Sequence, residues 1–400
     1  MKLTAHATSA LAILLLTGLA QATEIKLSEP ADGATLHLLT PLQREFLASF
    51  EKRGEKPPRP AGTEDKQWYD FYVPNDFTKP MVEASKKEEY HPLSWTVDGG
   101  VTNVRVVCSP KADFSEPIVK ELAGKREGNG KTAKFVYPAA TLPDLLLLDT
   151  QYWWKVEAED PETGKTVSSD VRTFVTSGQL PRLMRQGLFG NCRDMGGGVN
   201  ADGRRVRQGL LYRAAAPWLA KYCPPEMVKR VVDESLGLKT ELDLRSEGER
   251  DERSARYGEV KPEELSGLHH VFAPIYPYHL RHPENIESLR VMFATLADKN
   301  NYPLLFNCKV GSDRTGTLAF LLGAVLGRTD EQIIDDYEFT SIQSQNNQRY
   351  RYARKAGELF DYDHIPTPYR EHVDAYLLSI GVPQEQIDAI REIMLEPARP

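Results

Sequence analysis

Residues 303–327 read PLLFNCKVGSDRTGTLAFLLGAVLG, two apolar runs joined by a polar loop. The first run, 303–308, predicts a buried strand, and the second, 315–327, predicts a helix. Further strand and helix patterns alternate from about residue 183 onward. This alternation predicts an α/β domain over residues 179–400, with a central sheet flanked by helices.

The loop between the two runs has the composition of an anion-binding cradle. Five residues separate Cys308 from Arg314, and Gly311 and Gly316 give the backbone the freedom to turn its N–H groups inward. The N terminus of the following helix adds its dipole, and Arg314 can chelate two phosphate oxygens. The same positive field favours the thiolate of Cys308, which can attack phosphorus and form a phosphocysteine.

Four separated blocks carry a family resemblance, in the expected order, over residues 185–395. The loop CKVGSDRTG resembles the C-x5-R loop of the protein tyrosine phosphatase superfamily. NCRDMGG at 191–197 and the ADGRRVRQGLLYR that follows resemble the NFRDLGG opening of the bacterial secreted tyrosine phosphatase-like family. LDLRSEGERD at 242–251 and GRTDEQIIDDYEFTS at 327–341 resemble two further blocks of that family.

The resemblance implies roles for the residues of the loop. Cys308 becomes the nucleophile and Arg314 the phosphate-binding side chain. The expected phosphate cradle consists of Lys309, Val310, Gly311, Ser312, Thr315 and Gly316.

The general acid needs a separate argument. Many relatives use an Asp on a movable loop, but the comparable segment here, FAPIYPYHLRH at 272–282, contains none. Asp313 resembles the DRT variant of the bacterial family, and a carboxylic acid there could protonate the leaving oxygen and then activate water. We therefore expect Asp313 to be the acid and base, with His279 in reserve.

Two positions depart from the family pattern. Asn307 stands where relatives have a His before the Cys, and Ser312 stands where they often have Lys. Asn can still donate a hydrogen bond, so we expect activity. The missing Lys weakens the case for highly charged phosphoinositides, unless Lys309 turns inward.

Other polar residues have two interpretations. Arg193 and Asp194, like Asp243 and Arg245, are expected to form structural ion pairs or a pocket wall, with the structural role favoured. The clustered histidines show no zinc-ligand spacing, so neither a metal nor another cofactor is expected. A disulfide between Cys192 and Cys223 is left open.

The first 22 residues have the pattern of a secretory signal, with an apolar run and cleavage expected after Ala22. A membrane anchor is the less favoured interpretation, because the run is short. Removal of Lys2 takes the net charge from −7 to about −8, which gives no general attraction to nucleic acid or anionic membrane. No later segment predicts a membrane span. The sequence thus predicts a secreted or periplasmic protein.

Residues 23–178 contain short strand patterns separated by turns, which predict a β-sandwich. LSWTV at 93–97, QYWWKVEAE at 151–159 and VRTFVTSG at 171–178 resemble a fibronectin type III-like domain, with Tyr152 at its tyrosine corner. Residues 41–92 are expected to be an insertion that starts with a helix. We expect this part to be a structural or docking module. If it has a binding partner, the expected partner is a protein or a glycan.

The sequence as a whole predicts an exported cysteine-dependent phosphatase. Its expected substrates are phosphotyrosyl or mixed phosphoprotein, on family resemblance, and a phosphoinositide or small phosphate ester is the alternative. An alternative hypothesis, from another functional class, is that the protein is a phosphate-binding or adhesion module with weak catalytic activity.

Overall fold

A computed structural model describes residues 23–49, 84, 89–121, 125–127, 132–137, 146–184, 189–216, 229–251, 267–343 and 365–397. The expected signal segment, most of the expected insertion and Cys223 lie outside these residues. The cleavage site and the Cys192–Cys223 disulfide therefore stay predictions.

Two sheets form the N-terminal part. One has the strand order β1-β3-β7-β6, and the other has β2-β10-β8-β4-β5 with β9 beside β8. The strands are β1 (Glu24–Glu29), β2 (Ala34–Leu36), β3 (Leu93–Asp98), β4 (Thr102–Ser109), β5 (Ile118–Glu121), β6 (Lys125–Glu127), β7 (Thr132–Tyr137), β8 (Gln151–Glu159), β9 (Thr166–Ser168) and β10 (Arg172–Thr176).

The two sheets share one hydrophobic core. Trp95 of the first sheet and Trp154 and Val156 of the second are buried in the same cluster. Along β8 every second residue is buried, the pattern of a strand with one face against a core. The Tyr152 hydroxyl accepts a hydrogen bond from the Leu147 N–H at 2.9 Å, which fits the expected tyrosine corner. The fibronectin type III-like assignment itself stays a prediction.

Helix α1 (Pro41–Ala48) opens the segment that was expected to be an insertion. Thr40 and Gln43 form a capping box at its N terminus, which fixes where the helix begins. Phe46 of this helix is buried against Phe339, with ring centroids 6.3 Å apart. The start of the expected insertion therefore packs on the C-terminal part of the chain.

The C-terminal part is built on a mixed sheet with the strand order β11-β12-β13-β16-β14-β15. The pairs from β11 to β13 are antiparallel, and β13, β16, β14 and β15 run parallel. The strands are β11 (Arg182–Leu183), β12 (Arg193–Asp194), β13 (Leu211–Ala215), β14 (Thr240–Asp243), β15 (His269–Phe272) and β16 (Leu304–Cys308).

Helices accompany this sheet, as the alternating pattern predicts. They are α2 (Pro283–Ala297), α3 (Asp313–Val325), α4 (Asp330–Glu338), α5 (Thr340–Gln343), α6 (Tyr369–Ser379) and α7 (Gln384–Met394). Thr329 caps α4 by accepting a hydrogen bond from the N–H of Gln332. A short π-helix, Arg230–Ser235, precedes β14.

The loop between β16 and α3 lies at the carboxyl ends of the parallel strands. Strand β16 is central, with β13 on one side and β14 on the other. In such sheets, ligands bind in the crevice beyond these strand ends. Within the described part of the chain, no helix has both the length and the apolar character that a bilayer crossing requires.

Candidate active site

The nucleophile candidate sits at the last position of a buried strand. Cys308 ends β16 and is 2% exposed. The chain then turns through Gly311, at φ +66°, and enters α3 at Asp313. The strand, the turn and the helix thus follow one another where the sequence predicts them.

Gly311 is required by both its conformation and its surroundings. A Cβ at this position would lie 2.5 Å from the Ala214 carbonyl carbon and from the Ala215 nitrogen on β13. Its carbonyl oxygen accepts hydrogen bonds from Asn191 Nδ2 and from Arg213 Nη2, each at 2.9 Å. The loop is therefore pinned to β13 and to the turn before β12.

Arg314 lies at the other end of the loop and already holds a carboxylate. Its Nη1 and Nη2 donate to the two oxygens of Glu249 at 2.8 and 2.9 Å. Hydrogen bonding from Arg314 lowers the pKa of Glu249 and outweighs burial, which opposes the charge. This bidentate pair orients the guanidinium beside the loop.

A cavity of about 860 Å³ opens over the loop. Cys308, Asp313 and Arg314 all line it, together with Lys309 and Val310 of the expected cradle. The opposite wall contains the apolar and aromatic segment 274–277, in which Tyr276 is 52% exposed. The three residues expected to do chemistry therefore face one shared space.

The other cradle residues, Gly311, Ser312, Thr315 and Gly316, are not among the described residues that line the cavity. Ser312 and Thr315 are buried, whereas Lys309 is exposed. Gly316 has a steric role, because a Cβ there would come within 2.9 Å of the Tyr337 ring. Tyr337 and Tyr278 in turn reach the carboxylate of Asp313.

Asn307, the departure from the family pattern, is fully buried and donates from Nδ2 to Glu241 Oε1 at 2.7 Å. Burial, and after it the nearby Asp243, raises the pKa of Glu241 to about 7. The residue that replaces the usual His is thus tied to β14 by a side-chain hydrogen bond.

Glu241, Asp243 and His270 form a cluster whose donor atoms lie within 4.8 Å of one another, a spacing that could hold a metal ion. However, Arg245 makes two-pronged contact with Asp243, and Arg250 approaches the same carboxylate at 4.0 Å. Two guanidinium groups beside the cluster disfavour another cation. The expectation of no metal stays a prediction.

The residues expected as ion pairs or pocket wall take structural positions. Arg193 is fully buried on Asp336, and Asp194 pairs with Arg182 at 2.7 Å. Arg193 and Asp194 therefore do not pair with each other, and each forms an ion pair with a different residue. Asp243 and Arg245 do pair together, at 2.8 Å.

His279, the reserve acid, is exposed, and its carbonyl accepts from Asn285 Nδ2 at 2.7 Å. Like Arg193, Asp194, Asp243 and Arg245, it is not among the described residues that line the cavity.

Sequence reasoning missed Glu249, Tyr278, Tyr337 and Asp336, all of which contact the predicted site residues or their supports. Glu249 lies within a block that resembles the family, which was the available signal. Asp336 and Tyr337 lie within another such block, 327–341, whereas Tyr278 lies in none of them.

Comparison with known proteins defines the class. Residues 187–396 match the tyrosine phosphatase family, so the chain belongs to that family. Membership confirms the class expected from the sequence, a hydrolase of the phosphatase type.

A relative from Cupriavidus necator is similar to the C-terminal part of the chain. Its name describes a candidate tyrosine-protein phosphatase, and it is 31% identical over 192 residues. The match covers 42% of this chain and 66% of that relative, just under two thirds of its length.

Two solved structures also show similarity, both of the Siw14 catalytic core. The one titled as the core catalytic domain of a PP-IP phosphatase from S. cerevisiae, in complex with citrate, is 18% identical, with a TM-score of 0.26. It covers 43% of this chain and 93% of its own. The other is 15% identical, with a TM-score of 0.24, and covers 38% and 86%. Scores this low add nothing to the assignment of fold or substrate.

Proposed function

We propose that the chain is a cysteine-dependent phosphatase that hydrolyses phosphomonoesters through a phosphocysteine intermediate. The observation that carries the proposal is the convergence of Cys308, Asp313 and Arg314 on one cavity at the carboxyl edge of the parallel strands. A nucleophile, a proton carrier and an anion-binding guanidinium are the groups this reaction needs.

Each residue has a separate part in the reaction. Arg314 and the loop backbone bind the phosphoryl oxygens, and the Cys308 thiolate attacks phosphorus in line. Asp313 gives a proton to the leaving oxygen and later takes one from the water that hydrolyses the phosphocysteine. The Glu249–Arg314 pair keeps the guanidinium in place before substrate binds.

An aryl phosphate is the substrate that suits the cavity best. The wall formed by Pro274, Ile275, Tyr276 and Pro277 offers apolar and aromatic surface opposite the loop. Glu249 and Glu284 line the same space, and their charge disfavours a ligand with many phosphates. We therefore propose phosphotyrosyl or mixed phosphoprotein substrates ahead of phosphoinositides and small esters.

Export and the role of the N-terminal part complete the proposal. The signal pattern in residues 1–22 supports a secreted or periplasmic location. Intact mass of the protein recovered outside the cytoplasm tests this, because cleavage after Ala22 gives one defined N terminus. The β-sandwich is proposed as a fibronectin type III-like module that contacts protein or glycan.

The experiment compares phosphate release by the wild type and Cys308→Ser, with reductant and EDTA present. An aryl phosphate, a phosphotyrosyl peptide and a phosphoinositide are offered in parallel. Cys108→Ala is the matched control, because that thiol lies in the sandwich core, where burial raises its pKa to about 12.

We expect turnover that survives EDTA, disappears in Cys308→Ser, persists in Cys108→Ala and favours the phosphotyrosyl peptide. Orthovanadate binding without turnover by the wild type would contradict the proposal and favour a phosphate-binding module.

A further inference from the structure

We infer that Tyr278 and Tyr337 form a pair of phenols that positions the carboxyl group of Asp313 for proton transfer. The inference rests on the proposed function and names two positioning residues that are not among those expected from the sequence to act in the reaction.

The contacts form a short chain behind the carboxylate. Tyr278 Oη donates to Asp313 Oδ1 at 2.6 Å, and the hydroxyls of Tyr278 and Tyr337 are 2.6 Å apart. Tyr337 Oη also lies 3.5 Å from Asp313 Oδ1. Each phenol has one proton, so the arrangement is satisfied when Tyr337 donates to Tyr278 and Tyr278 donates to Asp313.

The fold holds both phenols in place. The backbone of Tyr278 has φ +68°, a conformation that residues other than glycine rarely adopt. Its N–H donates to Thr317 Oγ1 at 3.2 Å, and that hydroxyl donates to the Asp313 carbonyl at 2.9 Å. Tyr278 is thus attached to the first turn of α3 at both ends of the residue.

Tyr337 reaches the pair from α4 because Gly316 leaves room for its ring. A Cβ at Gly316 would lie 2.8 Å from Cδ2 of the ring. The glycine of the DRTG sequence is therefore required by the phenol pair, in addition to any role in the backbone of the loop. This close fit is a second observation, independent of the hydrogen bonds.

Tyr278 stays protonated and so remains a hydrogen-bond donor. Burial, and after it the neighbouring Tyr337 and Asp313, raises the pKa of Tyr278 well above 10. The hydrogen bond from Tyr278 to Oδ1 favours Oδ2, the other carboxyl oxygen, as the carrier of the acid proton. Since Asp313 also lines the cavity with Cys308, the pair sets the orientation in which the acid meets substrate.

The proton balance leaves the tyrosines unchanged. As the Cys308 sulfur bonds to phosphorus, the P–O ester bond breaks and its electron pair stays on the leaving oxygen, which takes the proton from Asp313. In the second step water gives a proton back to Asp313 and its oxygen bonds to phosphorus. The P–S bond then breaks, which restores the thiolate and releases inorganic phosphate.

The test is the dependence of kcat/KM on the leaving group in Tyr278→Phe and Tyr337→Phe. Phenyl phosphate needs protonation of its leaving oxygen, whereas 4-nitrophenyl phosphate leaves readily without it. General acid catalysis contributes about 10²–10⁴-fold to the rate. Because the carboxyl group itself remains, we expect only part of this to be lost: kcat/KM should fall about tenfold on phenyl phosphate and less than threefold on 4-nitrophenyl phosphate. Orthovanadate affinity, which reports the cradle, should stay within about twofold of the wild type, because neither phenol contacts the phosphoryl group.

Two controls make the result specific. Tyr302→Phe removes another buried phenol, which donates to the Leu296 carbonyl at 2.7 Å. This variant should leave the ratio of kcat/KM on phenyl phosphate to kcat/KM on 4-nitrophenyl phosphate unchanged. Adding Tyr278→Phe to Asp313→Asn should cause no further loss on phenyl phosphate, because the phenol acts through the carboxyl.

Three results would decide against the inference. The first is a wild-type ratio of kcat/KM on phenyl phosphate to kcat/KM on 4-nitrophenyl phosphate in both Tyr278→Phe and Tyr337→Phe, whether through equal losses or through no loss. It would overturn the inference while the proposed function stands. An additional loss in the double variant would show that the phenol does not act through Asp313. Absence of wild-type turnover would overturn the proposed function, and this inference with it.

Discussion

Gly311 shows how a single missing side chain shapes the phosphate loop. Its positive φ is one that L side chains rarely adopt, and β13 leaves no space for a Cβ. The close approach lets Asn191 and Arg213 bond its carbonyl. The sequence indicates a flexible glycine here, but only the structure shows that strand β13 excludes any larger residue.

Gly311→Ala should displace the loop from β13 and reduce kcat/KM at least a hundredfold, since small misplacements at a reacting centre cost about that much. The assay is turnover of 4-nitrophenyl phosphate alongside orthovanadate binding. Gly100→Ala is the matched control, because a Cβ there meets nothing within 4 Å. Unchanged binding and turnover in Gly311→Ala would contradict the role assigned to this contact.

At the scale of elements, the loop is supported by an ion-pair network between β12, β13 and α4. Arg193 and Arg213 are both fully buried, and both bond the carboxylate of Asp336. Burial alone would raise the pKa of Asp336, but the two guanidinium groups outweigh it and hold the pKa below 3.8. One carboxylate thus pairs with two buried guanidinium groups, of which Arg213 also bonds the Gly311 carbonyl.

Asp336→Asn should lower the free energy of unfolding by about 3 kcal/mol, because it leaves two buried cations uncompensated. Urea unfolding measures the change, with the exposed Asp388→Asn as control.

The stability of the wild type should also depend on pH through Asp336. Since folding lowers the pKa of Asp336, its contribution to the free energy of unfolding is complete above the ordinary pKa of 3.8 and is lost as the pH falls through the pKa of the folded state. Wild-type stability should therefore fall more steeply than that of Asp336→Asn between about pH 5 and pH 2. Parallel curves would contradict this assignment.

The elements were more predictable than the network that connects them. The strand predicted at 303–308 and the helix predicted at 315–327 are present as β16 and α3, because both patterns depend on local periodicity. The Asp336 pairs join residues more than a hundred positions apart, which no local pattern encodes. The partner of Asp194, by contrast, is Arg182, only 12 positions away, and it depends on the antiparallel pairing of β11 with β12.

At the scale of the whole molecule, the N-terminal and C-terminal parts share buried contacts. Phe46 and Leu47 of α1 lie in one cluster with Leu183, Phe339 and Ile342. Thr340, next to Phe339, accepts hydrogen bonds from Asn191 and Arg193, and Asn191 holds Gly311. A continuous set of contacts therefore links α1 with the phosphate loop.

Phe46→Ala should destabilise the protein by about 3 kcal/mol, as large-to-small changes in a core do. It should also lower kcat several-fold, because α5 loses its support beside Thr340. Val97→Ala, in the hydrophobic core that the two N-terminal sheets share, is the matched control and should lower stability with kcat unchanged. Urea unfolding and turnover of 4-nitrophenyl phosphate measure both effects. If the two variants retain equal kcat, the contact of α1 does not influence the site.

The central claim is that Cys308 forms a covalent bond with phosphorus during turnover. Rapid acid quenching of the wild type with 4-nitrophenyl phosphate, followed by peptide mass spectrometry, tests it most directly. The account predicts one phosphoryl group on the peptide that contains Cys308, more of it in Asp313→Asn if that variant slows hydrolysis, and none in Cys308→Ser. Turnover by Cys308→Ser, or a phosphoryl group trapped on a different residue, would contradict it.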